Sequence, residues 1–572
     1  MEPAVLKRRA AWRAARRARA ARALAAALAF AAALWPALPA AANPGAPGFW
    51  EAAPGDPGAL ADGLSDQELL GQSFMVGWLG QDASPELLAW IRRGLGGVKI
   101  FTRNVDTLEG LRGAIREMQK EAGRTRLGVP LFVSTDQEGG WVRHVKAGTS
   151  DTPGNLALGA SGLPRDALLT GYYIGRELAA LGINMNFAPT IDVYSNPSAA
   201  VIGPRAFSAD PRATALLALA WFRGLAASGV ISTAKHYPGH GHADRDSHGA
   251  LPVVPISFQE LWERELLPYR VLIPEGLPAI MTGHLAFPRI LGDLTPSSRS
   301  PYLVGELLRG RLGFDGLVIT DDMEMTGALG PGVDTPQACP EALRAGSDVV
   351  LVSHTPELQE RTWSFLLSRL ASDPAFKARL RESARRVLRL KSRLYRDQGF
   401  PLEPSAAAVP APGAREFFAE SALRSTTVVR GEGLPYAPKP AERLLLAGQL
   451  EEFLTQGRRR FPRAETLSFS YLPFYQALGP DKARLRQAAA GYDTIIFCLA
   501  NYNSLEVLKE LAGLAPRLLV LSTLSPVLLA EVPWVRTAVA VYGTGPVSFA
   551  GGFAVLAGDF PAEGRLPVDL KP

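Results

Sequence analysis

The sequence predicts two α/β units in tandem, a parallel (β/α)8 barrel followed by a smaller α/β sandwich. Three observations carry this expectation. Eight short, β-rich apolar runs recur between residues 66 and 354, alternating with polar loops and helical stretches, a pattern that argues for parallel pairing and a closed barrel. Runs such as "PLFVST" and "GLVIT" are continuously apolar rather than alternating, as strands covered on both faces must be. A Pro- and Ala-rich stretch then separates this region from six further runs.

In chain order, residues 1–42 come first. They hold eight basic side chains (Lys7, Arg8, Arg9, Arg13, Arg16, Arg17, Arg19 and Arg22) and one acid, Glu2. An apolar run at 23–35 follows, then Pro36 and the small residues Ala40, Ala41 and Ala42. This is the layout of a cleaved secretory signal, and the run is short of the roughly 20 residues a membrane span needs. The expectation is export to the periplasm or the extracellular space, with no stable membrane insertion after cleavage. The same segment explains the charge. The chain carries +6 overall, and removing the seven net positive charges of residues 1–42 leaves −1, so nucleic acid is not an expected partner.

The barrel is expected over residues 43–400. Its eight runs lie at 71–78, 97–101, 130–135, 184–193, 231–237, 279–285, 317–320 and 348–353, with helical stretches between them at 85–94, 107–123, 164–181, 211–228 and 301–312. A helical region at 374–397 closes it. Residues 401–412, "PLEPSAAAVPAP", read as a linker because closely spaced prolines sustain neither ladder. The second unit, 413–572, has expected strands at 426–429, 443–447, 465–469, 493–499, 517–522 and 538–542. Two cysteines, Cys339 and Cys498, fall one in each unit and read as buried thiols.

Barrel active sites form at the C-terminal ends of the strands, and polar residues gather there. Asp136-Gln137-Glu138 follow the third run, and Asp192 ends the fourth, with Arg205 further along. Lys235-His236 close the fifth run and lead to His240, His242 and then Asp246-Ser247-His248. His284 lies near the end of the sixth run, and Asp321-Asp322 follow the seventh. Four of the seven histidines lie between 236 and 248, but Pro238 and the interspersed glycines exclude a helical HExxH presentation. No metal and no cofactor are expected. Asp246 and His248, two apart in a loop taken as extended, place a carboxylate beside an imidazole, which fixes its tautomer and raises its basicity; a solvated loop is the plain alternative on spacing alone. Asp321 puts a carboxylate at the end of a buried strand, costly unless used or paired. His240 reads as a structural residue beneath the site.

The segments "GGVKIFTRN", "STDQEGGWVRH", "NMNFAPTIDV", "VIGPRAFS", "AKHYPGHGHADRDSH", "MTGHLAFP" and "GFDGLVITDDMEM" together resemble glycoside hydrolase family 3, in the two-domain form of its β-N-acetylglucosaminidase branch. The ending "VYGTGPVSFAGGFAVLAGDFPAEGRLPVDL" resembles the close of that family's second domain. The resemblance implies a retaining β-N-acetylhexosaminidase acting on terminal β-linked N-acetylglucosamine, with cell-wall fragments as the expected glycan. It carries the nucleophile onto Asp321, the acid/base role onto His248 and its dyad partner onto Asp246. Asp136, Arg205, Lys235 and His236 match residues that hold the sugar. The family's arginine eight positions after the Asp of "DQEGG" is here His144, and Arg143, one place earlier, ranks below the other sugar contacts. Three other readings stand beside this one: a β-glucosidase or β-xylosidase of the same family, a phosphorylase, and a non-catalytic carbohydrate-binding protein.

Overall fold

The computed structural model describes residues 57–330, 332–405, 407–469 and 478–570; the expected export signal at 1–42 lies outside them. Eight strands form the first unit: β1 Phe74–Gly77, β2 Gly97–Ile100, β3 Phe132–Thr135, β4 Met185–Asn186, β5 Ile231–Tyr237, β6 Ala279–Thr282, β7 Leu317–Asp322 and β8 Val349–Val352. Each pairs in parallel with its sequence neighbours, and β1 pairs with both β2 and β8, closing the barrel. Every strand position except Asp321 is buried, because side chains fill the interior while the helical ring covers the outside. That double burial is why the strands read as unbroken apolar runs.

The fourth strand differs from its expectation of ten residues: only Met185 and Asn186 hold a regular ladder. Pro189 has no N–H to donate. The chain still follows the barrel through scattered bonds, Phe187 N to Thr135 O at 2.8 Å and Ile191 N to Lys235 O at 2.8 Å.

The second unit is a six-stranded sheet of β9 Thr427–Gly431, β10 Leu444–Gly448, β11 Glu465–Ser468, β12 Thr494–Leu499, β13 Leu518–Thr523 and β14 Thr537–Tyr542, ordered β9-β14-β13-β12-β10-β11. Only β9 runs antiparallel to its neighbour. Alternate residues face opposite sides of a strand, and this sheet therefore builds two cores. Leu445, Ile495, Phe497 and Val520 belong to one, while Leu446, Ile496, Cys498 and Leu521 belong to the other. Helices cover both faces, giving the expected sandwich. Both cysteines are free and buried.

The two units share a small apolar cluster in which Leu156, Tyr194 and Ile202 of the first meet Ala540, Tyr542 and Val568 of the second. Around it, Ser208 Oγ donates to Pro567 O at 2.8 Å, and Arg424 grips Asp166 with two nitrogens at 2.8 and 3.1 Å. No helix among the described residues is long and apolar enough to cross a membrane.

Candidate active site

The C-terminal mouth of the barrel holds a buried cluster of opposite charges. β3 delivers Asp136, whose carboxylate pairs with Lys99 of β2 and Lys235 of β5. Glu138, two residues on in a short hairpin (Gln137–Gly139 with Val142–Arg143), is gripped by Arg205 at 2.9 and 2.7 Å and by Lys235 at 2.6 Å. Burial alone would push the Glu138 carboxyl up, but Arg205 and Lys235 outweigh it and hold it well below the usual carboxylate range. Lys99 is brought down to about 7 by burial and by the neighbouring Lys235. The hairpin base is locked reciprocally: Gln137 N donates to Asn186 Oδ1 at 2.9 Å, and Asn186 Nδ2 returns a bond to Gln137 O at 3.0 Å. Its turn needs Gly139 and Gly140 at φ 96° and 60°, which residues with a Cβ rarely adopt.

Lys235 and His236 lie near the C-terminal end of β5, just before Tyr237. The imidazole of His236 bonds Asp192 through Nδ1 at 2.7 Å, and its Nε2 lies 3.2 Å from Arg205. With Nδ1 donating to the carboxylate, Nε2 is directed at the mouth. Asp192 also accepts the backbone N–H groups of His236 and His240, at 3.1 and 2.7 Å, so it fixes the whole turn after β5. His240 sits beneath, its Nε2 3.3 Å from Ser247 Oγ; burial and His236 bring it down to about 4.

Asp321 is the penultimate residue of β7 and is partly open to the mouth. Burial acts to raise its pKa, but His236, His284 and Lys235 outweigh it, and the carboxylate is held well below its ordinary range. It is therefore ionised at neutral pH, and an ionised carboxylate at the mouth can act chemically as an oxygen nucleophile or as a charge stabiliser. Asp322 turns into the protein, bonding Ser353 Oγ and accepting from Glu324 N at 2.9 Å. Burial raises it to about 7. His284 donates from Nε2 to Asp322 O at 3.1 Å, and its Nδ1 lies 2.8 Å from Ser298 Oγ, so the ring is held from both sides.

Asp246 and His248 meet as the spacing predicts, but by a different backbone. Instead of an extended loop, the chain makes a turn in which Gly249 N and Ala250 N both donate to Asp246 O at 3.3 Å. The Asp246 carboxylate organises that turn, since one oxygen accepts from both His248 N at 3.1 Å and His248 Nδ1 at 2.7 Å. The bond to Asp246 raises the His248 pKa against partial burial, and Asp321 adds to the rise. The charges of Asp321 and Arg205 thus both act on the exposed imidazole.

Of the expected sugar contacts, Asp136, Arg205, Lys235 and His236 are brought together in one cluster. Arg143 is not. Its guanidinium turns from the mouth, donating to Ser150 O at 2.7 Å and lying 3.6 Å from Asp151. His144 holds the place beside Asp136 instead, with Nε2 3.6 Å from that carboxylate and its ring 5.2 Å from Phe101. The reason is strand alternation: adjacent residues of the hairpin arm face opposite ways. Sequence reasoning passed over Lys99 and the grip on Glu138. Lys99 had a readable mark, a cation inside the apolar strand "GVKI". Among the described residues, no group of three His, Cys, Asp or Glu side chains is placed to hold a metal ion.

The sequence model described as the glycosyl hydrolase family 3 N terminal domain matches residues 68–390. The chain belongs to glycosyl hydrolase family 3. That family comprises enzymes that hydrolyse glycosides, and its pattern covers the barrel and every residue of the mouth. The chain is 32% identical over 374 residues to Beta-hexosaminidase A of Pseudoalteromonas piscicida, a match covering 61% of this chain and 62%, under two thirds, of that relative. It is 37% identical over 295 residues to a Beta-hexosaminidase of Bordetella avium, covering 50% of this chain and 80% of the other. Among solved structures, a family 3 β-N-acetylglucosaminidase from Paenibacillus sp. superposes with a TM-score of 0.83 at 30% identity, covering 89% of this chain and 99% of that one. The beta-glucoside phosphorylase BglX, at 23% identity and a TM-score of 0.76, shares the fold.

Proposed function

We propose that this family 3 protein is a retaining β-N-acetylhexosaminidase that releases terminal β-linked N-acetylglucosamine, with peptidoglycan fragments as its glycan. The observation that carries the reading is the Asp246–His248 pair, an imidazole with raised basicity that feels the charge of Asp321. Retaining glycosidases in general use two carboxylates about 5–5.5 Å apart. Here the residue poised for proton transfer is a histidine, as in the β-N-acetylglucosaminidase branch that the sequence resembles. The names of the similar proteins point the same way.

Chemically, Asp321 attacks the anomeric carbon while protonated His248 gives its proton to the departing glycosidic oxygen, forming a glycosyl ester. Neutral His248 then removes a proton from water, which attacks the anomeric carbon and frees Asp321 with net retention. A histidine suits the second role, because its neutral form adds no negative charge beside the nucleophile. Asp136 and Glu138, with Lys235, Arg205 and His236, offer acceptors and donors side by side, as recognition of sugar hydroxyls and an amide carbonyl requires. The basic-apolar character of residues 1–42 supports an exported enzyme, which would meet wall fragments outside the cytoplasm.

Initial rates of the purified protein on an aryl β-N-acetylglucosaminide and on the matching β-glucoside test the reading. The N-acetyl sugar is expected to be preferred by at least tenfold in kcat/KM, about 1.4 kcal/mol of discrimination. Preference for the glucoside, or release of a sugar phosphate in phosphate buffer in place of the free sugar, would overturn it.

A further inference from the structure

The hairpin that carries Glu138 is held from its far side by a segment that the second unit itself holds. Arg143, at the end of the hairpin, donates to Ser150 O at 2.7 Å and faces Asp151. Gly140 N, at the hairpin turn, donates to Thr152 Oγ1 at 2.7 Å. The turn also lies so close to Gly154 that a Cβ on Gly140 would sit 2.8 Å from its Cα. One residue further on, Asn155 Nδ2 donates to Arg205 O at 2.8 Å. Residues 150–155 therefore touch both the hairpin that carries Glu138 and the backbone of its partner Arg205.

The opposite side of the same segment meets the start of helix Pro546–Ala557. A Cβ on Gly543 would lie 3.2 Å from the Pro153 backbone, and one on Gly545 would overlap the Asp151 carboxyl outright. Gly545 is the N-cap of that helix and supplies no side-chain cap. A helix start leaves N–H groups unpaired and attracts negative charge. Here the carboxyl at that place is Asp151, contributed by the barrel; burial pushes its pKa up, opposed first by Arg143 and then by the amide of Val547 at the helix start. The apolar contact of Leu156 and Ala157 with Ala540 and Tyr542 continues the same seam.

We propose that the second unit shapes the sugar pocket through residues 150–155, and that Asp151 is the positioning residue that ties the Glu138 hairpin to helix Pro546–Ala557. The inference rests on the pocket being a sugar site only in its kinetic arm. Asp151 touches no substrate in this scheme. It acts through Arg143 and the hairpin, so its loss loosens binding rather than the chemical step.

The test compares Asp151→Ala, Asp151→Asn and Arg424→Ala in the full chain. Arg424→Ala breaks a different bond between the units, to Asp166, away from the hairpin. Two readouts are taken: amide hydrogen exchange of residues 137–143, and KM against kcat on the aryl N-acetylglucosaminide. Asp151→Ala is expected to speed exchange in the hairpin and to raise KM about tenfold with kcat within twofold, in keeping with the loss of one carboxyl packed at a helix start and of its ion pair with Arg143. Asp151→Asn keeps an acceptor for the helix amides and is expected to recover most of the protection. Arg424→Ala is expected to leave both readouts as in the wild type. Unchanged hairpin exchange and KM in Asp151→Ala, or the same response in Arg424→Ala, would overturn the proposal. Should Asp151→Ala fail to fold, Arg143→Ala cuts the same chain at its barrel end, with the same two outcomes deciding. The exchange arm uses no substrate, so an inactive protein would count against the glycosidase reading alone.

Discussion

The floor of the mouth and the loop above it solve opposite problems. On the floor, Lys235 keeps 3% of its side chain exposed and Glu138 1%, and Lys99, Asp136, Glu138, Arg205 and Lys235 each have at least one counter-charge in contact. On the loop, the His248 side chain is 72% exposed and is held by a single residue, Asp246. Buried charges left unpaired are costly, so the floor can hold only one arrangement. An exposed imidazole costs little to place and is free to approach and leave a glycosidic oxygen. On the proposed function, recognition falls to rigid strand ends and proton transfer to a loop, and this division can be broken from either side.

The largest expected effect is on the loop. His248→Ala is expected to lower kcat/KM by roughly 10²–10⁴ on substrates with poor leaving groups, the usual contribution of a positioned acid. On aryl glycosides whose leaving group departs without a proton, the loss shrinks toward the cost of the second step alone. Folding stability should stay within about 0.5 kcal/mol of wild type, as for other exposed substitutions. Equal losses on both substrate types would remove His248 from proton transfer and with it the contrast drawn here.

On the floor the order reverses, with stability the main loss. Glu138→Gln leaves Arg205 and Lys235 facing a neutral amide in a buried site, a change expected to cost about 3–5 kcal/mol, measured by denaturant unfolding. The pH dependence has a definite sign. The folded Glu138 carboxyl is held far below its ordinary value of 4.5, so its contribution is present above that pH and is lost as the pH falls toward the folded value. The gap between wild type and variant should accordingly be wide at pH 7 and narrow in acid. A gap that stays constant with pH would mean that shape rather than charge holds the floor.

How much of this was readable beforehand follows from the same physics. The barrel strands were legible because burial on both faces leaves continuous runs such as "PLFVST"; β4 was not, because its ladder stops where Pro189 lacks a donor. Asp136, Lys235, His236 and Asp321 were legible as charges at strand ends. Arg143 and His144 could not be told apart, since one step along a strand reverses the facing of a side chain. The turn at Asp246 hid behind a spacing that suits an extended loop equally well. Asp151 was invisible for another reason: the helix it meets begins nearly four hundred residues later, at Pro546, and no local pattern records a contact of that range.

The smallest and most discriminating effect concerns Asp246. Its bond to Nδ1 is the largest cause of the raised His248 pKa, followed by opposing burial and then the charges of Asp246 and Asp321. A raised pKa keeps the imidazole protonated to higher pH, and leaving-group protonation needs that form, so kcat/KM falls as the pH rises through it. Asp246→Asn removes the charge while Oδ1 still accepts from His248 N, so the turn survives. The alkaline limb of kcat/KM should move to lower pH, with the plateau lowered only in proportion to the weaker orientation of the ring. An alkaline limb that stays in place, with only the plateau reduced, would reduce Asp246 to a turn-forming residue. Its displacement would show that a single half-buried carboxylate tunes the proposed proton donor, while the buried charges below it tune Asp321.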